Sequence, residues 1–165
     1  PEAAGRAMSA IVLQASAVVI GGRALLIEGP PGSGKSSLAL ALIDRGAGLI
    51  GDDGVTLEQD GDLLVASPPP NIAGLLEVRG VGLVRLAVAP PAPVALILAL
   101  GGPAPDRLPE TPLARRVIAG VAVPVLAFDP GTIAPAARAE WALRVHGLTC
   151  KPASLCPAEA ADDGA

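Results

Sequence analysis

Eight consecutive residues, Gly29-Pro30-Pro31-Gly32-Ser33-Gly34-Lys35-Ser36, fit the pattern GxxxxGK[ST] at every fixed position. This Walker A pattern, the phosphate-binding P-loop, constrains the fold because it needs a strand before it and a helix after it. Its glycines let backbone N–H groups approach phosphate oxygens with no side chain in the way. The lysine puts a mobile cation on the β- and γ-phosphates, and the serine hydroxyl can ligate Mg²⁺. The N-terminal N–H groups and dipole of the following helix face the same anion. Both flanks agree with this. Ala24-Leu25-Leu26-Ile27 reads as a buried strand entering the loop. Ser37-Leu38-Ala39-Leu40-Ala41-Leu42-Ile43 is made of good helix formers and ends at Arg45-Gly46. The candidate nucleotide-binding residues are therefore Gly29, Gly32, Ser33, Gly34, Lys35, Ser36 and Ser37.

The rest of the chain bounds what such a loop can serve. Its 165 residues suffice for one domain with a real core, and a hydrophobic share of 51% excludes a disordered chain. Phe128 and Trp141 are the only aromatic residues, so the core must be built from Ala, Val, Leu and Ile. The same scarcity removes any aromatic platform for single-stranded nucleic acid. A net charge of −4 and the lack of a basic run exclude a nucleic-acid footprint. The best membrane-span candidate, residues 94–100, is one strand long, and the Met8 region carries no secretory signal. A soluble cytoplasmic protein without a membrane partner is the expectation. Cys150 and Cys156 suggest neither a zinc site nor a disulfide framework, and His146 reads as a surface residue before a ligand. Residues 1–150 read as a single domain and residues 151–165 as a frayed tail.

Hydrophobic runs separated by glycine and proline give the order of elements. Residues 11–13 and 17–20 are strand material, and Gly21-Gly22 turns the chain into strand 24–27. After the loop and its helix, residues 49–50 form a short strand running into Asp52-Asp53. Asp60-Gly61-Asp62 marks a second hairpin, between strands 55–58 and 63–66. Pro68-Pro69-Pro70 breaks the chain; residues 72–76 read as a helical turn and 81–86 as a strand. Pro90-Pro91-Ala92-Pro93 breaks it again before a buried strand at 94–100. A loop at 101–112, a strand at 121–128 and a helix at 134–145 complete the order. Small-molecule P-loop kinases mostly keep a regular βαβ alternation, whereas these hairpins predict an α/β fold with a mixed, partly antiparallel sheet.

A P-loop does not name a reaction, so the remaining machinery must come from nearby charged residues. Asp52-Asp53 ends the strand after the P-loop helix, and strand ends in such folds point at the ligand crevice. One carboxylate there can hold Mg²⁺ while the other accepts a proton from an attacking hydroxyl. The bland alternative is a surface Asp-Asp-Gly turn. A third element, Glu77-Val78-Arg79-Gly80-Val81-Gly82, sets opposite charges two residues apart in an apolar segment. It reads either as an exposed strand face or as a metal-binding carboxylate beside a cation that stabilises phosphate charge.

Together these three pieces resemble the catalytic domain of HPr kinase/phosphorylase, most of all its short alphaproteobacterial form. The likeness is dense from about Ser16 to Leu83 and thin beyond. It implies a P-loop fold related to that of phosphoenolpyruvate carboxykinase, and an ATP- and Mg²⁺-dependent kinase acting on a serine of an HPr-like phosphocarrier protein. On the family pattern, Lys35 binds the phosphates; Ser36, Asp52 and Glu77 belong to the metal environment; Asp53 is the base. Arg79 belongs to the segment linked to the reverse, phosphorylase reaction. Gln14 stands where the family usually has a histidine, and it cannot titrate. Asp129-Pro130-Gly131-Thr132 lacks the arginine that longer members carry there, which leaves reverse activity and assembly into a homo-oligomer open. Ser37 stands where the family often has an acid. Two other readings are compatible with the residues: a small-molecule kinase, whose arginine lid would have to be Arg115-Arg116, and a nucleotide-sensing regulator with lost catalysis, marked by Gln14.

Overall fold

A computed structural model describes residues 10–71 and 73–149. The expectations for Met8, Cys150, Cys156 and residues 151–165 lie outside the described residues. The elements run β1 (Ile11–Leu13), β2 (Ser16–Ile20), β3 (Arg23–Glu28), α1 (Lys35–Asp44), β4 (Gly48–Gly51), β5 (Val55–Asp60), β6 (Leu63–Ser67), β7 (Leu75–Val78), β8 (Gly82–Arg85), β9 (Ala92–Ala99), β10 (Arg115–Ile118), β11 (Val121–Ala127) and α2 (Pro135–His146). Every strand expected from the hydrophobic runs is present, and so are the helix after the phosphate loop and the one near the C-terminus.

The main sheet is mixed, in the order β1-β5-β6-β9-β3-β2-β4. The loop-bearing strand β3 pairs antiparallel with β2 and parallel with β9. A strand has two edges, and β3 occupies one edge of β9. The other is divided: β6 pairs with its start, at Ala92 and Pro93, and β11 with its end, at 97–99. β10 continues the sheet from β11, while β7 and β8 form a separate hairpin.

β3 is apolar on both sides because both of its faces are covered. Side chains alternate across a strand. Leu25 and Ile27 enter one cluster with Leu38 and Leu42 of α1, Leu96 and Leu98 of β9, Phe128, and Ala139 and Leu143 of α2. Ala24 and Leu26 enter another, to which no helix contributes, with Val55 and Leu57 of β5, Leu64 and Ala66 of β6, and Ile97. Leu25, Leu26 and Ile27 are completely buried. Each such side chain contributes about 1.5–3 kcal/mol through loss of apolar surface to water. This anchors the strand that delivers the loop. The helices meet through small residues, Ala39 of α1 facing the cluster with Ala136, Ala139 and Ala142 of α2. From the C-cap of α1, Arg45 donates to both carboxylate oxygens of Glu140, midway along α2, at 2.7 and 3.1 Å.

Three local expectations are corrected. Residues 72–76 do not make a helical turn among the described residues: Leu75 and Leu76 belong to β7, where Leu76 lies opposite Val84 and is completely buried. Cross-strand pairing there outweighs a local pattern with no clear period. The Pro90–Pro93 break ends earlier than expected, because β9 begins at Ala92 and carries Pro93 opposite Val65. Proline is tolerated at a strand's first residues, before the ladder needs every N–H. Arg115-Arg116 does not stand in a lid; the pair lies exposed in β10, with Arg116 opposite Val123.

Candidate active site

β3 ends at Glu28 and α1 starts at Lys35, leaving residues 29–34 to make the turn. Gly29 can be nothing else: a Cβ there would lie 2.6 Å from Ser33 Oγ and 2.8 Å from the Leu100 carbonyl oxygen. Gly34 is the N-cap of α1, in the left-handed region at φ 98°, and supplies no side-chain cap. The first N–H groups of α1 are thus left for a ligand, as an anion-binding helix start requires. Lys35 Nζ arches back over the turn and donates to the Gly29 carbonyl at 2.6 Å and the Pro30 carbonyl at 3.3 Å. Ser33 Oγ is buried with no hydrogen-bond partner, so among the loop residues it is turned inward.

Asp52 joins three elements. Its Oδ1 accepts from Ser16 Oγ of β2 at 2.8 Å and from Ser36 Oγ of α1 at 2.7 Å. Its Oδ2 accepts from the backbone N–H of Glu77 on β7 at 3.2 Å. The residue is only 7% exposed. A carboxylate offers about four acceptor sites, so three donors hold this one firmly and leave room for one more partner. Asp53 differs in every respect. It is exposed, and its backbone is left-handed at φ 57°. Aspartate tolerates that conformation better than most residues, at a cost of about 1–2 kcal/mol. The strained turn sends two adjacent carboxylates to different places, one inward and one to the surface.

Around Asp53 lies a cavity of about 490 Å³, lined by Gln14, Gly29, Gly32, Gly34, Lys35, Ser36, Ser37, Glu77 and Arg79 among others. Nearly every residue expected from the sequence to act thus stands on one wall system. Asp52 lies behind it, bonded to Ser36, and Ser33 beneath the loop. The β7–β8 hairpin carries Glu77, exposed on β7, and Arg79, in the turn after it, to the cavity wall. Two cations and loop N–H groups face two carboxylates, a composition suited to a polyanion and a proton acceptor.

The Ser36 hydroxyl and the Asp52 carboxylate, in contact, are hard oxygen donors of the kind Mg²⁺ prefers. No group of three or more His, Cys, Asp or Glu able to hold a metal exists among the described residues. Mg²⁺ fits this situation: it commonly takes one or two carboxylates and completes its shell with water and substrate phosphates.

The sequence model of the HPr serine kinase C-terminal domain matches residues 7–89, half of the chain. The chain belongs to this family. Among curated proteins, the HPr kinase/phosphorylase of Exiguobacterium sp. (strain ATCC BAA-1283 / AT1b) is 50% identical over 68 residues, covering 41% of this chain and 22% of the relative. That of Bacillus cereus (strain B4264) is 47% identical over 70 residues, covering 42% and 23%. The match therefore spans less than a quarter of these relatives' length. The structure of the Hpr(Ser) kinase/phosphatase from Coxiella burnetii superposes with a TM-score of 0.70 at 29% identity, covering 82% of this chain and 95% of that one. The family's fold thus extends well beyond the segment matched by sequence.

Two contributors escaped the sequence. Ser16, completely buried, orients Asp52 from 36 positions away; a lone hydroxyl in an apolar strand was the available signal. Arg138 donates to the carbonyls of Asp129, Pro130 and Ile133 and lies 5.0 Å from the Phe128 ring centroid. It braces the loop whose Pro130 packs beside Gly34, and nothing in its local sequence announces that role.

Proposed function

We propose that the chain is an ATP-dependent protein kinase that transfers the γ-phosphoryl group to a serine of an HPr-like phosphocarrier. The observation that carries this reading is the division of labour in the aspartate pair: Asp52 buried against Ser36, Asp53 free at the cavity surface. Lys35 and the loop N–H groups hold the β- and γ-phosphates. Ser36 and Asp52, with Glu77 at the rim, would hold Mg²⁺, which neutralises phosphate charge when bound. Asp53 accepts the proton of the acceptor serine as its oxygen bonds to the γ-phosphorus and the bond to the ADP oxygen breaks. Arg79 stabilises charge on the transferred group and would serve the reverse, phosphorylase direction too. The relation to the phosphoenolpyruvate carboxykinase-type fold, a cytoplasmic location and a homo-oligomeric state belong to the same reading. No helix among the described residues is long and apolar enough to cross a membrane.

A second reading, a nucleotide-binding regulator with weak or lost catalysis, is favoured by one observation. Gln14, which cannot titrate, stands in the cavity with Asp53 and Arg79. One experiment separates the two. The protein is incubated with Mg-ATP and an HPr-type carrier, and the carrier is examined by mass spectrometry for one added phosphate on serine. A product that disappears with Asp53→Asn supports the kinase. ATP binding without product favours the regulator, and Gln14→His then tests whether that position is the cause.

A further inference from the structure

Glu28 is the last residue of β3 and stands immediately before the phosphate loop. A carboxylate beside an anion-binding turn opposes the ligand through space, so its surroundings matter. Arg116, from β10, meets it with two parallel hydrogen bonds: one guanidinium nitrogen to Oε2 at 2.7 Å and the other to Oε1 at 2.5 Å. Both oxygens are engaged, the geometry in which an arginine fixes as well as neutralises a carboxylate. The Glu28 side chain is 18% exposed and that of Arg116 44%. The bond to Glu28 holds the Arg116 guanidinium above its ordinary range, against the opposing effect of partial burial.

The pair sits at the base of the loop. The Glu28 carbonyl accepts from the Leu100 N–H at 2.8 Å, and the adjoining Gly29 carbonyl accepts from Lys35 Nζ at 2.6 Å. Arg116 therefore contacts the residue whose neighbour holds the phosphate-binding lysine. It also lies outside residues 7–89, the segment the family's sequence model covers. We propose that Arg116 is a positioning residue for the phosphate loop, cancelling the charge of Glu28 so that the loop can accept a nucleotide polyanion.

Charge cancellation makes a prediction that mere bracing does not. Removing the arginine exposes the carboxylate to the ligand; removing both charges relieves the repulsion. Affinity for Mg-ATP is measured by calorimetry on the whole chain, at low and high salt, without acceptor protein. Arg116→Gln is expected to bind about three- to fivefold more weakly at low salt, an effect sized by a partly exposed ion pair. The deficit should narrow at high salt, where exposed charges are screened. Glu28→Gln/Arg116→Gln should return to within about twofold of wild type. Wild-type affinity in Arg116→Gln, or a double variant as weak as the single one, overturns the proposal. If Arg116→Gln does not fold, Arg116→Lys carries the test, since with Glu28→Gln it leaves an uncompensated cation beside the loop. That double variant is expected to bind Mg-ATP more tightly than wild type; equal or weaker binding overturns the proposal. The proposal rests on the nucleotide-binding reading above. A wild-type chain that binds neither ATP nor pyrophosphate removes that reading, whereas variants indistinguishable from a binding wild type remove only the role of Arg116.

Discussion

The cavity at the phosphate loop and the groove beside α2 are built from different materials. The cavity is walled by glycines, hydroxyls and four charged side chains drawn from α1, the Asp53 turn and the β7–β8 hairpin. The groove, about 990 Å³, is lined by Leu113, Leu126, Phe128, Ile133, Trp141 and Val145 together with charged residues that include Asp106, Arg107 and Arg138. The cavity gathers unlike groups from distant positions, with Lys35 and Ser36 held by hydrogen bonds. The groove is shaped by apolar side chains, several of them exposed, including Ile133 and Trp141 at 79% and 60%. A site that does chemistry is recognised by how many independent constraints converge on a few polar atoms, and size is a poor guide to it.

Substitutions can break or sharpen this contrast. Asp53→Asn should produce the largest change. Transfer to the carrier falls by about a thousandfold, within the range for loss of a general base. The melting temperature stays put, because asparagine also tolerates the left-handed backbone. Retained turnover in that variant would remove the base assignment and much of the contrast. Asp52→Ala should cost both chemistry and stability. It orphans the completely buried Ser16 hydroxyl and removes three hydrogen bonds, a loss of about 2–3 kcal/mol by denaturant titration. A fully stable Asp52→Ala would mean that the three donors find other partners. Trp141→Ala, in the groove, should change stability by less than about 0.5 kcal/mol, since the side chain is largely exposed. Its transfer rate should match wild type, and a slower rate would join the groove to the reaction.

Glu140→Gln tests the ion pair between the helix of the cavity and the helix of the groove, and should have the smallest effect. The hydrogen bond from Arg45, outweighing partial burial, holds the Glu140 carboxyl below its ordinary range. A carboxyl lowered by folding stabilises the protein above its unfolded-state pKa, and that contribution fades as pH falls through the folded-state value. Thermal melts should therefore show wild type slightly ahead of Glu140→Gln at neutral pH, and the two converging in acid. A gap that widens in acid would contradict the pairing.

The contrast also explains which parts were legible in sequence. The phosphate loop, Asp52-Asp53 and Glu77-Arg79 are short runs whose residue types and order carry their chemistry, and they lie together in space. Both hairpins flagged by Gly21-Gly22 and Asp60-Gly61 form, because a tight turn is a local matter. What was missed is long-range. Leu75 and Leu76 became strand through pairing with β8. Arg116 found Glu28 across 88 positions, and Ser16 found Asp52 across 36. No window of sequence contains both partners, so neither composition nor period could announce them.

β3 is paired in parallel with β9, with Ala24 opposite Val94 and Glu28 opposite Ala99. On a ribosome, the phosphate loop, its helix and the aspartate pair all emerge before the strand that will hold them side by side. The nascent chain carries every motif for a time without the sheet that shapes them. A fragment cut at residue 89, where the family's sequence model stops, would be arrested at that stage, complete in its signature and lacking one of the two neighbours of its central strand.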